Sequence, residues 1–222
     1  MAILTIDNFA NYSLGPLSLW GDWHAQQGPQ YPSIDVVDGS ALGERHAVTM
    51  VDGVPTGLSG IDHLLFQPMT DGHFTFKALA RSGSAGTQQS QFYLLLLAGA
   101  IDIVGFTTDA FYLGFIEGSG DGAGFTRVVV YDQNGNPDMA DTTIPIDTAF
   151  AVDLDIHSGG AVDVRAGGNP VGFGTRQLYS GNETLLRYGF SAAHNPVFFP
   201  PLMTGFGVTD NKSPFPSFFQ GA

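Results

Sequence analysis

The stretch spanning residues 150–171 constrains the fold of this chain more than any other part of the sequence. Apolar and polar residues alternate strictly over residues 151–157 and again over residues 161–165. An alternation with a period of two is typical of β-strands that bury one face. The three residues between the two runs, 158–160, include two glycines and suit a short hairpin loop. The pattern therefore predicts a β-hairpin.

A three-residue loop sets the register of this hairpin. With that loop length, Asp155 faces Asp163 and Asp153 faces Arg165 across the strand pair. His157 lies on the same polar face. Two facing carboxylates beside a histidine can raise one pKa and act as a general acid, as in glycosidases. The alternative is a solvated sheet face on which Asp153 and Arg165 form a cross-strand ion pair.

Further strands are predicted along most of the chain, and no long helical pattern occurs. The stretch 91–98 is apolar on both faces, which predicts a central strand that is covered on both sides. The stretch 57–69 is ambiguous, and we expect it to contain a few helical turns. An Asn-Gly pair within 132–136 predicts a second hairpin. The remaining predicted strands are 3–6, 33–37, 46–51, 73–81, 101–106, 110–117, 126–131, 185–190 and 203–208.

The charge of the chain excludes two classes of partner. Twenty-one acidic and eight basic residues give a net charge of −13, and only two residues are lysine. That charge repels nucleic-acid phosphates and anionic lipids, so we predict no nucleic-acid or membrane partner. Charged residues make up 13% of the chain, against a typical ~25%. Either a surface buried between subunits or a loop surface rich in small polar residues explains this depletion.

The sequence has no cysteine, so the fold is expected to be stable without disulfides. Residues 1–20 lack the basic start and the apolar run of a signal peptide, and no apolar run is long enough to span a bilayer. We therefore expect synthesis in a cytoplasm.

The opening segment carries a family resemblance. Asp7, Phe9, Tyr12, Gly15 and Leu17 follow the pattern D-x-F-x-x-Y-x-x-G-x-L, and a tryptophan follows. This opening, the hairpin over 150–170 and the ending GFGVTD resemble bacterial and phage members of the concanavalin A-like, laminin G-like jelly-roll superfamily. The resemblance implies an all-β, two-sheet antiparallel jelly-roll sandwich whose last strand pairs with the first. We expect one such domain over residues 1–210 and a Phe/Pro-rich docking tail over 211–222.

Three aromatic residues are candidates for contact with a glycan. Trp20 and Trp23 lie within four residues of each other, and Tyr31 follows them. Aromatic rings of this kind either stack on sugar rings or pack in the core, and both alternatives stay open.

A calcium site is the one cofactor that the sequence suggests. Four oxygen-bearing side chains occupy alternate positions after the predicted strand 126–131, a spacing that directs several ligands to one ion. The EF-hand pattern fails, because Pro137 stands where glycine is needed and Thr143 stands where glutamate is needed. A plain Asn-Gly hairpin is the alternative. The four candidate ligands are Asp132, Asn134, Asn136 and Asp138.

No catalytic motif is recognisable. The sequence contains no G-x-S-x-G elbow, no closely spaced histidine pair and no E-x-D-x-x-E strand of the kind that concanavalin-like glycosidases carry. We therefore predict that the protein is not an enzyme and that it has no catalytic residues.

The C-terminal region predicts an assembly arm. Five phenylalanines lie in proline-stiffened segments, where proline lowers the entropy lost on docking and phenylalanine supplies apolar area. Such an arm packs either on its own domain or on a neighbouring subunit. The five residues are Phe198, Phe199, Phe215, Phe218 and Phe219.

Three functions compete at this stage. The leading hypothesis is a non-enzymatic structural protein of a phage virion, a capsid decoration or tail component. In the virion it would form a homo-oligomer, with a trimer favoured, and contact other virion proteins. The alternative is a carbohydrate-binding, lectin-like module. A polysaccharide lyase or hydrolase is the third.

Overall fold

A computed structural model describes residues 3–7, 9–26, 33–51, 58–83, 92–97, 110–131, 137–158, 160–172, 176–177, 185–193 and 200–209. The strands are β1 (Ile3–Asp7), β2 (Gly15–Pro16), β3 (His24–Gln26), β4 (Ser33–Asp38), β5 (His46–Val51), β6 (Leu58–Met69), β7 (Gly72–Leu79), β8 (Phe92–Leu97), β9 (Ala110–Glu117), β10 (Phe125–Tyr131), β11 (Pro137–Pro145), β12 (Phe150–Ile156), β13 (Ala161–Ala166), β14 (Asn169–Pro170), β15 (Arg176–Gln177), β16 (Leu185–Ala193), β17 (Leu202–Met203) and β18 (Phe206–Thr209). Within these described residues, three single-turn 3₁₀ helices cover Leu17–Leu19, Ser40–Leu42 and Gly120–Gly122.

The described strands form two antiparallel sheets, as the resemblance implies. Sheet A has the order β14-β13-β12-β7-β17-β5-β4-β2; in addition β15 pairs with β13, and β18 pairs with β7 and β1. Sheet B has the order β11-β10-β9-β8-β16-β6-β3. The prediction of an all-β, two-sheet sandwich is confirmed.

The hairpin of β12 and β13 has the predicted register. Asp155 pairs with Asp163 and Asp153 pairs with Arg165. The loop closes through the Gly160 amide, which donates to the His157 carbonyl at 2.9 Å; Gly160 has a φ of 82°. That φ lies in the left-handed region that glycine adopts without strain.

The main core lies between the two sheets and comes from alternate residues of each strand. Sheet A contributes Val152 and Leu154, both fully buried, and sheet B contributes Phe92 and Leu94. The other face of sheet B also carries apolar residues, which form a separate cluster. It consists of Tyr93, Leu95, Leu97, Tyr112, Ile116, Val129 and Tyr131. The predicted double-sided burial of β8 is thereby confirmed.

The expectation of helical turns within 57–69 is wrong for the described part of that stretch. Residues 58–69 form β6, which pairs with β16 on one side and with β3 on the other. The two neighbouring strands satisfy its backbone hydrogen bonds, so the tertiary context overrides the weak local pattern.

The first and last described strands are neighbours. β1 pairs with β18, and β18 pairs with β7 in the middle of sheet A. The predicted return of the closing strand beside the first is therefore confirmed. The predicted strand 101–106 and the tail 211–222 lie outside the described residues. Of the three short helices described above, none has the length that a membrane crossing requires.

Candidate functional site

The polar face of the β12–β13 hairpin holds an ion-paired network. We call His73, Asp153 and Asp155 the His73 cluster. His73 comes from β7, where it pairs directly with Asp155. Its Nδ1 atom lies 2.7 Å from Asp155 Oδ1 and its Nε2 atom lies 3.2 Å from Asp153 Oδ1. Because each ring nitrogen faces a carboxylate oxygen, the ring donates from both only when it is protonated.

The pKa shifts agree with that protonation state. Burial alone lowers the pKa of His73, but the hydrogen bonds and charges of Asp153 and Asp155 outweigh it, so the net pKa is raised. Burial raises the pKa of Asp153, but the hydrogen bonds with His73 and Thr75 and the charges of His73 and Arg165 outweigh it, so the net pKa is lowered. A general acid of a glycosidase needs the opposite shift.

The two facing carboxylates of the hairpin each lie close to a different basic side chain. Asp155 Oδ2 lies 3.7 Å from Nη2 of Arg165, and Asp163 Oδ2 lies 2.9 Å from Nε2 of His157. Arg165 thus pairs with Asp155, whereas the solvated-face alternative had it pair with its cross-strand neighbour Asp153. The sequence predicted that Asp155 faces Asp163, but it did not predict that His73 pairs with Asp155. The alternation of polar and apolar residues in β7 places His73 on the polar face of the sheet. The alternation does not indicate which strand lies beside β7.

A groove opens between the edge strands of the two sheets, and we call it the edge groove. Its volume is about 320 Å³. The edge strand of sheet B, β11, forms one wall, and β14 with the end of β13 forms the other. The lining residues are Asp141, Thr142, Thr143, Ile144, Ala166, Asn169, Pro170 and Val171.

Asp141 is a lining residue of the groove, and its carboxylate is held in place by Arg127. Arg127 Nε donates to its Oδ1 at 2.6 Å and Arg127 Nη2 donates to its Oδ2 at 2.9 Å. The hydrogen bond from Arg127 lowers the pKa of Asp141 and outweighs its partial burial. The loop at Gly122 packs so closely that a Cβ there would lie 2.6 Å from Asp141 Cγ. The carboxylate is therefore ionised and has a defined position.

The aromatic candidates have different surroundings. Trp23 is only 6% exposed and packs against Phe190 and Tyr188, so its ring is part of the core and is no platform for a sugar. Trp20 is half-buried and stacks on Tyr12 with a centroid distance of 4.9 Å. Tyr31 lies outside the described residues. Neither tryptophan lines the edge groove.

The other candidate sites fall mostly outside the described residues. Asp132, Asn134 and Asn136 of the calcium hypothesis do so, as do all five phenylalanines of the predicted arm. Asp138 is described, and its Oδ1 accepts the amide of Met139 at 2.9 Å. Within the part of the chain that is described, no group of three or more histidine or acidic side chains could hold a metal ion.

Comparisons with known proteins find the fold alone. No protein-family model and no curated protein matches the sequence. Among solved structures, the globular domain of T. cruzi calreticulin matches with a TM-score of 0.56 and 11% identity, over 95% of this chain and 88% of that one. The chain has the concanavalin A-like jelly-roll fold. Lectin II from Ulex europaeus shares the jelly roll with a TM-score of 0.53 and 10% identity, over 94% of this chain and 99% of the lectin.

A phage protein also has this jelly roll. The carbohydrate esterase of the Shiga toxin-encoding bacteriophage phi24B matches with a TM-score of 0.54 and 13% identity. The match covers 92% of this chain and 98% of the esterase chain. At these identities the likeness concerns the fold, and the activity has to be argued from the sites of this chain.

Proposed function

We propose that this protein is a lectin-like carbohydrate-binding protein and that the edge groove is its sugar site. The observation that carries the proposal is the mixed lining of the groove, in which carboxylate, hydroxyl and amide groups stand beside aliphatic ones. A sugar presents hydroxyl groups at its edges and C–H groups on its faces, so it needs both kinds of contact. The jelly-roll fold shared with a lectin supports the proposal.

The chemistry of each wall suits a neutral sugar. Asp141 offers acceptor oxygens to hydroxyl groups, and the exposed side chains of Thr143 and Asn169 offer both donors and acceptors. Pro170 and Val171 supply the apolar surface. A volume of about 320 Å³ lies at the lower end of the range of ligand sites, which suits one or two sugar rings.

The groove is also preorganised. Thr142 Oγ1 donates to the Thr126 carbonyl at 2.7 Å, and Arg127 fixes Asp141. A wall that is ordered before binding loses less entropy when the ligand arrives.

Binding of the full-length protein to an array of neutral oligosaccharides tests the proposal, followed by titration calorimetry with the best ligand. Thr143→Ala and Asn169→Ala should each weaken binding by about five- to thirtyfold, the equivalent of one or two lost hydrogen bonds. Asn11→Ala is the matched control, because Asn11 is exposed and does not line the groove. Absence of array binding, or equal affinity of Asn169→Ala and the control, would refute the proposal.

A structural role in a phage virion is the second candidate. Its support is the fold, which a carbohydrate esterase of a bacteriophage shares in a match that covers 98% of the esterase chain. Under this proposal the tail 211–222 is an assembly arm. The solution mass of the full chain is compared with that of a version ending at Asp210. A trimer or larger assembly that dissociates on truncation supports the role, and two monomers argue against it.

A further inference from the structure

The edge groove has an apolar floor and a polar rim. Ala166 and Val171 are 3% and 5% exposed, and with half-buried Ile144 they supply the aliphatic floor. The lining residues of the rim are exposed, and they are Asp141, Thr143, Asn169 and Pro170. A ligand that fits this groove therefore carries a small apolar group between polar ones.

The turn after β13 holds the floor in place. A Cβ at Gly167 would lie 3.2 Å from Cδ1 of Ile144, so the turn packs directly on that side chain. Gly167 has a φ of 58°, in the left-handed region that glycine adopts without strain. The amide of Val171 donates to the Val164 carbonyl at 3.0 Å and closes the turn. The floor thus offers a fixed contact surface to a group the size of a methyl.

The backbone hydrogen bonds of β10 show which of its residues face β11. The Phe125 carbonyl accepts the amide of Gly118 at 2.8 Å, on the side of β9. The next carbonyl, that of Thr126, accepts Oγ1 of Thr142 at 2.7 Å, on the side of β11. Because the N–H and C=O groups of successive strand residues point to opposite sides, the even-numbered residues of β10 face β11.

This alternation decides where the backbone of Asp141 points. Val128 faces β11 and pairs with Ala140, so the N–H and C=O groups of Asp141, one residue further, point away from β10. The amide of Met139, which has the same direction, donates to the Asp138 side chain at 2.9 Å instead of to β10. Since β11 is the edge strand of sheet B, Asp141 presents both backbone groups at the open edge that lines the groove.

The opposite wall of the groove offers the side-chain amide of Asn169. This amide has donors and an acceptor, and no hydrogen bond to it is formed by any residue of the described ranges. The hydroxyl group of Thr142 is engaged by contrast, because it donates to the Thr126 carbonyl and accepts the Ile144 amide at 3.1 Å. The groove therefore has a backbone amide edge on one wall and a side-chain amide on the other.

We infer that the edge groove binds the acetamido group of a 2-acetamido sugar. The N–H and C=O groups of a trans amide point in opposite directions, so one meets the backbone of Asp141 and the other meets Asn169. The methyl group lies on the aliphatic floor. A sugar that carries only hydroxyl groups leaves this floor without an apolar partner. The inference rests on the proposed function, because it names the class of sugar for the same groove.

The experiment is a calorimetric titration of the full-length protein with N-acetylglucosamine and N-acetylgalactosamine, with glucose and galactose as their counterparts. At least one acetamido sugar should bind about tenfold more tightly than its counterpart, because it adds hydrogen bonds and an apolar contact. The N-butanoyl derivative of the better amino sugar should lose this gain, because its longer acyl chain exceeds the floor. Amide shifts in NMR spectra should show the acetamido sugar, and not its counterpart, at Asp141.

Asn169→Ala should bring the affinity for the acetamido sugar to within about twofold of that for its counterpart. Asn11→Ala, at an exposed residue that does not line the groove, should leave the ratio unchanged. A preference that survives Asn169→Ala would overturn the inference. Equal affinity of the wild-type protein for the acetamido sugars and their counterparts would overturn it too, while the groove would still stand as a sugar site. If no sugar binds, the inference and the proposed function both fail.

Discussion

His73 Nδ1 lies 2.7 Å from Asp155 Oδ1, although the two residues are 82 positions apart in the chain. The pairing places an imidazolium between two carboxylates on the polar face of sheet A, with only 4% of the histidine side chain exposed. A charged group so little exposed is stable only because both carboxylates compensate it. The His73 cluster therefore links β7 to β12 electrostatically as well as through the sheet.

The stability of the protein should depend on pH through this cluster. The raised pKa of His73 adds stability that is complete below about pH 6.5 and is lost as the pH rises through the folded-state pKa. The lowered pKa of Asp153 adds stability that is present above about pH 4 and is lost as the pH falls. Denaturant unfolding between pH 3 and 9 should show a maximum between these limits. The alkaline decline should be smaller in His73→Gln, and an unchanged decline would contradict the assignment.

Removal of the imidazole should be costly. His73→Ala leaves the partly buried carboxylates of Asp153 and Asp155 side by side without the imidazolium, and we expect a loss of about 2–4 kcal/mol in the free energy of unfolding. His157→Ala is the control, because its pair with Asp163 is 32% and 40% exposed. That exposed pair should contribute at most about 1 kcal/mol. Equal losses in the two variants would mean that burial does not distinguish them.

Asp62 offers a second test of charge compensation. Its side chain is fully buried, and it accepts a hydrogen bond from Nη1 of Arg187 while His24 Nδ1 lies 3.2 Å from its Oδ2. Arg187→Met should lower the free energy of unfolding by about 3–5 kcal/mol, because it removes the arginine that compensates the buried Asp62. The double variant with Asp62→Asn should recover part of that loss in chemical denaturation. A double variant no more stable than Arg187→Met would contradict this explanation.

Gly189 should tolerate no side chain. A Cβ at this position would lie 2.1 Å from the Ile61 carbonyl oxygen and 2.8 Å from Asp62 Cα, both backbone atoms of the neighbouring strand β6. Gly189→Ala should therefore cost at least about 3 kcal/mol, measured by thermal and chemical unfolding. Gly21→Ala, where a Cβ meets nothing within 4 Å, should change stability by less than about 1 kcal/mol. A mild effect at Gly189 would show that β16 can shift against β6.

Sugar binding in the edge groove should be insensitive to moderate acid. The pKa of Asp141 is lowered by Arg127, so its carboxylate stays ionised below its usual pKa of about 3.9. We expect equal affinity for a neutral oligosaccharide at pH 5 and pH 8. Arg127→Gln should weaken that affinity about tenfold, because Asp141 loses its fixed orientation. If Arg127→Gln leaves the affinity unchanged, Asp141 does not contribute to sugar binding.

Local sequence patterns were sufficient to predict strand pairing where the paired strands are neighbours in the sequence. The hairpin of β12 and β13 could be predicted with its register, because a short loop and a period of two leave one arrangement that buries Val152 and Leu154. The apolar character of residues 91–98 likewise indicated the central position of β8. The stretch that became β6 has no such pattern, and its partners lie far away in the chain.

The alternation of residues thus determined a chain of β-strands, and the excess of 21 acidic over 8 basic residues determined its strongly acidic charge. Only the tertiary structure decided which polar groups meet. His73 meets Asp155, and Asp141 and Asn169 line one groove, because non-neighbouring strands pair and sheet edges approach each other. The packing of the whole core decides which distant strands pair. The spacing of residues within one segment does not predict this pairing.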